Sequence, residues 1–173
     1  MEALHAYPAW SARFRPPRTP GGKAMNAATE ALRVSTALGD VDLDTVHGFL
    51  QRESYWAHGI PRGTLQRALA KSLCFSGFVA GRQVAFARVV SDEATFANLL
   101  DVFVLPDFRG RGHARELLTA VLADPRLQGL RRFTLMTADA HGLYEQFGFQ
   151  PLAAAGRMME RHDPRVYTNA PRE

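Results

Sequence analysis

The chain has 173 residues, 46% of them hydrophobic and 22% charged, with 21 Lys and Arg against 17 Asp and Glu and a formal net charge of +4 at pH 7. This is the balance of one globular domain of ordinary size; no run of about 18 apolar residues is present to span a membrane as a helix. The single cysteine, Cys74, excludes an intrachain disulfide and a cysteine-built zinc site, no metal is expected, and the cysteine usage fits a reducing, cytoplasmic setting.

The positive balance is concentrated at the start. Residues 1–24 hold Arg13, Arg15, Arg18 and Lys23 against Glu2 alone, so the remainder is nearly neutral and offers no basic face for nucleic acid. Residues 1–28 are rich in Pro, Arg and Gly without apolar periodicity and read as a disordered extension. Pro16-Pro17 and Pro20-Gly21-Gly22 oppose the amphipathic helix of a transit peptide, and a secretory apolar core is missing; a start of translation at Met25 is a further reading.

From Ala31 to Thr36 apolar and polar residues alternate as in a short strand. Leu43, Val46, Phe49 and Leu50 then fall at helical spacing, and 61–71 reads as a second helix carrying Leu65 and Leu69. Residues 73–80 and 83–90 form two strands joined tightly at Gly81-Arg82, and 95–104 is a further, largely apolar strand. Ala114, Leu117, Leu118, Val121 and Leu122 make the buried stripe of a helix that stops at Asp124-Pro125. A buried strand at 133–137, a short helix over 140–147 ended by Gly148, and a last strand region from Phe149 to Leu152 follow. The pattern is α+β, and the helical crossover makes the strands at 95–104 and 133–137 parallel.

Between the strand at 95–104 and its helix lies Arg109-Gly-Arg-Gly-His-Ala114. Gly110 and Gly112 allow a tight turn close to a ligand, and the helix start aims unpaired N–H groups and a positive dipole end into the loop. That is an anion site, most naturally for phosphate. The spacing is neither that of a Walker loop nor of the dinucleotide fingerprint. One strand further on, Ala140-His-Gly-Leu-Tyr-Glu-Gln-Phe-Gly-Phe149 places Tyr144 on a helix that closes on Gly-Phe.

Together these segments resemble the GCN5-related N-acetyltransferase (GNAT) superfamily. Arg109, Gly112 and Ala114 fill its [Gln/Arg]-x-x-Gly-x-[Gly/Ala] loop; Ala140, Leu143, Tyr144, Gly148 and Phe149 fill its Ala-x-x-Leu-Tyr-x-x-x-Gly-Phe helix. Ser54-Tyr-Trp-Ala, Phe86-Ala-Arg-Val-Val and Asp139-Ala-His-Gly-Leu-Tyr look like a bacterial subgroup of small acetyltransferases whose acceptors are mostly unassigned. The resemblance implies a mixed central sheet of about six or seven strands flanked by about four helices. The implied domain is 29–162, with a tail over 163–173.

It implies acetyl-CoA as co-substrate, with the pyrophosphate held by Arg109, Gly110, Arg111, Gly112, His113 and Ala114, His113 through its backbone only. Val102, Phe103 and Val104, where the family splays its fourth strand, would hold the thioester and its developing oxyanion. Many members carry Asn where Thr137 stands, so a shorter hydroxyl is expected there against the cofactor arm. Tyr144 would assist the CoA thiolate as it leaves. The acceptor implied is a primary amine of a small molecule or a protein. An alkylamine with pKa near 10.4 is deprotonated only about once in a few thousand molecules at pH 7, so a base is useful. Asp101 and Glu53 are the candidates; they read equally as a turn partner and a solvated helix end. Tyr55 and Trp56 are candidates for the acceptor wall or, alternatively, a cap on the core, and Arg88 for a substrate carboxylate. His47 reads as a core-edge residue. Cys74, in a strand away from the loop, favours direct transfer over an acyl-enzyme. A non-catalytic acyl-CoA sensor is the alternative function, and a homodimer is left open.

Overall fold

A computed structural model describes residues 31–167. The extension expected over 1–28 and the end of the tail, 168–173, lie outside the described residues. One sheet runs in the order β1 (Arg33–Ser35), β2 (Leu73–Val79), β3 (Arg82–Ser91), β4 (Phe96–Val104), β5 (Arg132–Leu135). Neighbours are antiparallel except β4 and β5, which are parallel as the crossover requires. The joint between β2 and β3 is Ala80-Gly81, one residue earlier than expected. Both residues have positive φ, +48° and +81°, the conformation whose twist matches a two-residue hairpin.

Between β1 and β2 lie α1 (Leu43–Arg52) and α2 (Arg62–Leu69); α3 (His113–Ala123) joins β4 to β5, and α4 (His141–Glu145) follows. Asp42 starts α1 by accepting from the N–H groups of Asp44 and Thr45, both at 3.1 Å. These are two of the donors a helix start leaves orphaned.

Each face of the sheet carries its own core. On one face Leu117, Leu118, Val121 and Leu122 of α3 pack against Phe75, Ala85, Ala87, Val89, Ala97 and Leu99. On the other, Val46, Phe49, Leu50, Leu65 and Leu69 of α1 and α2 cover Cys74, Phe86 and Phe103. There the Phe49 and Phe103 rings stack with centroids 4.0 Å apart. Tyr167, the last described residue, packs against this second cluster.

The sheet has five strands among the described residues, fewer than the six or seven expected. Phe149–Leu152 forms no strand: Pro151 has no N–H for a ladder, and the Ala153-Ala154-Ala155-Gly156 run that follows lacks the branched and aromatic side chains that fill a pleated surface.

Candidate active site

β4 and β5 pair over only four residues, from Phe96 with Arg132 to Leu99 with Leu135. Beyond Leu99, β4 continues to Val104 on its β3 side alone, where Phe103 and Val104 pair with Phe86 and Ala85. The β5-facing peptide groups of Leu100 to Val104 therefore open onto a gap. The register against β3 slips between Phe86 and Arg88, opposite Asp101, whose φ is +53°. This is a bulge, which bends β4 locally just past the last residue that pairs with β5. Val102, Phe103 and Val104 lie in this stretch, past the last β4–β5 pair.

At the end of β4 the chain turns through Pro106–Phe108 into the glycine loop. Gly110 and Gly112 have φ of +74° and +92°, and nothing lies within 4 Å of where a Cβ would stand at either. Glycine is required by conformation, and the space in front of the loop is open. Gly112 is the N-cap of α3, so the first-turn N–H groups of His113 and Ala114 face that space. Val104, Arg109, Gly112, Ala114 and Leu143 line a cavity of about 360 Å³ here. Arg109 folds back, its Nε donating to the Val104 carbonyl at 2.9 Å; Arg111 donates to the Asp107 carbonyl and lies over the Phe108 ring. The shape and chemistry fit a diphosphate: glycine-lined space, a helix N-terminus and the Arg109 guanidinium.

His113 contributes more than backbone. Its buried ring meets Glu116 Oε2 through Nδ1 at 3.1 Å, and the same oxygen accepts the Leu32 N–H at 3.0 Å. The start of α3 is thereby tied to the residue before β1. Nothing in the local pattern signalled a contact across so much chain.

Leu143 and Tyr144 are consecutive on α4 and face two different spaces. Leu143 walls the cradle, whereas Tyr144 lines a larger, mainly apolar cleft of about 770 Å³ beside β5 with Leu100, Met136, Thr137 and Met158. Tyr144 is 8% exposed, and among the described residues its hydroxyl has no hydrogen-bond partner. Burial pushes its pKa up to about 12, with Tyr55 and Asp139 adding to the shift. Thr137 Oγ1 accepts the Ala140 N–H at 3.0 Å and so shapes the turn into α4.

The remaining candidates fall in two places. Tyr55 and Trp56 lie in the connector between α1 and α2, 64% and 41% exposed. The Tyr55 hydroxyl accepts the Ala138 N–H at 3.0 Å, bridging the connector to the loop before α4. Trp56 Nε1 donates to Asp101 Oδ1 at 3.0 Å, and Arg88 pairs with Asp101 Oδ2 through Nε. Arg88 also reaches Ser72 Oγ, so its guanidinium is engaged within the protein. Glu53 is exposed at the C-cap of α1; like Tyr55, Trp56, Arg88 and Asp101 it lines neither cavity, and it shares no hydrogen bond with those four. His47 donates to the Ile60 carbonyl through Nε2 at the core edge. Cys74 is buried under α2, and burial raises its thiol to about 11. Among the described residues no group of three or more His, Cys, Asp or Glu could hold a metal ion, and no helix is long and apolar enough to cross a membrane.

Comparison with known proteins agrees with this geometry. A family model for the acetyltransferase (GNAT) domain matches residues 73–151. A crystal structure from Xanthomonas campestris pv. campestris, assigned to the GNAT family, is 53% identical, with a TM-score of 0.78 over 80% of this chain and 98% of that one. A curated Gibberella zeae chain assigned to the acetyltransferases is 31% identical over 133 residues, 64% of this chain and 74% of that one. Glucosamine-6-phosphate N-acetyltransferase from Arabidopsis thaliana shares the fold, at 13% identity and a TM-score of 0.57 over 77% of this chain and 99% of that one.

Proposed function

The chain belongs to the GNAT family of acetyltransferases, and from that premise we propose that it moves the acetyl group of acetyl-CoA directly onto a primary amine of a small molecule or a protein. One observation carries the reading: Tyr144, a buried residue whose hydroxyl opens into the cleft beside β5 that Leu100 also lines, stands one residue along α4 from the wall of the anion cradle.

Acetyl-CoA supplies an activated thioester, so the protein has mainly to align and to stabilise charge. The loop from Arg109 to Ala114 grips the diphosphate, with the first-turn amides of α3 and the two arginines as donors. The open amides of Val102 to Val104 receive the carbonyl oxygen as negative charge gathers on it. Tyr144 donates its hydrogen bond to the departing sulfur. Tyr55 and Trp56 form the acceptor side. Thr137 acts by shaping the approach to Tyr144, and Arg88 holds Asp101 and Ser72. Cys74 is buried with a raised pKa and takes no part, which is why transfer is direct.

The test is thiol release from acetyl-CoA over a panel of phenethylamine, spermidine, free amino acids, an aminoglycoside and lysine peptides, for the native chain and Tyr144→Phe. Loss of one hydrogen bond to the leaving group lowers kcat by about 10²-fold, with KM for acetyl-CoA unchanged. Unaltered turnover in Tyr144→Phe removes the role given to the phenol. Tight acetyl-CoA binding without release to any acceptor favours a sensor.

A further inference from the structure

Asp101 sits inside β4 with φ of +53° among extended neighbours, a conformation that a non-glycine residue keeps only where its surroundings hold it. The surroundings are visible. Its carboxylate, 5% exposed, accepts from Trp56 Nε1 on one oxygen and from Arg88 Nε on the other. Arg88 continues to Ser72 Oγ, and Ser72 donates to the Ala68 carbonyl just before the end of α2. In the other direction Trp56 meets Tyr55 edge-on, with centroids 4.9 Å apart, and Tyr55 is bonded to the backbone of Ala138. Contacts therefore run without a break from α2 through the β4 bulge and the connector to the loop that leads into Tyr144.

A general base must present a free lone pair to the amine or to a water that touches it. Each Asp101 oxygen already accepts one hydrogen bond, one of them from a guanidinium, and with the side chain 5% exposed its remaining lone pairs have almost no access to water or an amine. The exposed partner of Asp101 itself is Trp56, on the α1–α2 face of the sheet, opposite the face on which α3 packs. An aromatic surface placed there attracts an ammonium through its ring face.

We propose that Asp101 is a positioning residue: it fixes the Trp56 indole, and through it Tyr55, as the wall that receives the acceptor amine, and it does not take the acceptor's proton. This rests on the acetyl-transfer reading above. Trp56→Phe keeps a ring and deletes the indole donor. Asp101→Asn keeps the shape and an acceptor oxygen, and Asn tolerates positive φ. Because Asp101→Asn also breaks a buried ion pair, Trp56→Phe carries the test if that variant fails to fold.

With the panel amine that turns over fastest, both variants raise the amine KM about tenfold while kcat and the acetyl-CoA KM stay nearly constant. The acid limb of kcat/KM against pH is retained in Asp101→Asn. Loss of that limb with a fall in kcat of about 10²-fold makes Asp101 the base and overturns the proposal. So does an unchanged amine KM in Trp56→Phe. Failure of the acetyl-transfer reading shows separately, as unaltered kcat in Tyr144→Phe or no turnover with any amine. In the latter case phenethylamine is titrated onto the CoA-bound full chain while the Trp56 indole N–H resonance is followed. A saturating shift that Asp101→Asn weakens supports the wall, and no shift overturns it.

Discussion

A phenol at about 12 keeps its proton wherever the enzyme is assayed. A CoA-type thiol near 8.5 lies about 3.5 pKa units below it, so complete transfer to a formed thiolate is uphill by about 5 kcal/mol. On the proposed reading Tyr144 is therefore a hydrogen-bond donor to the sulfur and not an acid that hands its proton over. Its ionisation should give the kcat–pH profile no descending limb below about pH 10, read from initial rates with saturating substrates. The folded pKa stands above the ordinary value of 10.0, so the folded state holds this proton more tightly. Its share of stability is present below that value and is lost as pH rises toward 12. Cys74 is shifted for the same reason, burial, with Arg88 opposing it. Iodoacetamide near pH 8 should leave the thiol of the native chain largely unmodified and label it once urea exposes it, measured by intact mass. Tyr144 was legible because it belongs to a spaced motif. The tie between Asp101 and Trp56 was not: a carboxylate amid the apolar residues of β4 reads the same whether it faces substrate, solvent or an indole 45 residues away.

At the scale of elements, the glycine loop and α3 were readable together, since two glycines before an amphipathic stripe ask for positive φ followed by a helix, and the structure shows both. Gly112→Ala isolates the backbone part of that demand. No atom lies within 4 Å of the new Cβ, so the cost is the left-handed conformation itself, about 1–2 kcal/mol. If the loop relaxes to avoid it, the first-turn amides of α3 turn away from the cradle. The expected outcome is acetyl-CoA affinity weakened about tenfold, by calorimetry, with a small fall in Tm. Binding at native strength would mean that the side chains of Arg109 and Arg111 hold the diphosphate without the helix end. The last strand was misread for a physical reason. Phe149 and Leu152 suggest a pleated edge, yet Phe149 packs toward the α3 core and meets Phe133 edge-on, and Pro151 follows two residues later. The register slip at Asp101 was equally hidden, because bulges leave no hydrophobic period of their own.

Across the whole molecule β2 to β4 are covered on both faces, and the helix stripes read from the sequence supply the two covers. Which helix takes which face depends on contacts that no local pattern carries. Both covers are closed by carboxylates. Asp42 caps α1 on one face, its pKa lowered first by the Thr45 hydroxyl and then by backbone N–H groups. Asp124 ends α3 on the other, lowered first by the Arg126 side chain. Folded pKa values below the ordinary 3.8 mean that each contribution is present above that value and lost as pH falls through the folded one. Because α1 and α3 lean on the same β2 to β4, loosening either exposes strands that the other also needs. Acidification below about pH 4 should therefore lower the urea midpoint in a single transition that circular dichroism and tryptophan fluorescence report together. Asp42→Ala should remove about 1 kcal/mol at neutral pH and flatten the acid dependence, because the lost cap can no longer titrate. Two separated transitions would show instead that the α1–α2 cover melts as a unit of its own, leaving the cradle and Tyr144 on a sheet still held by α3.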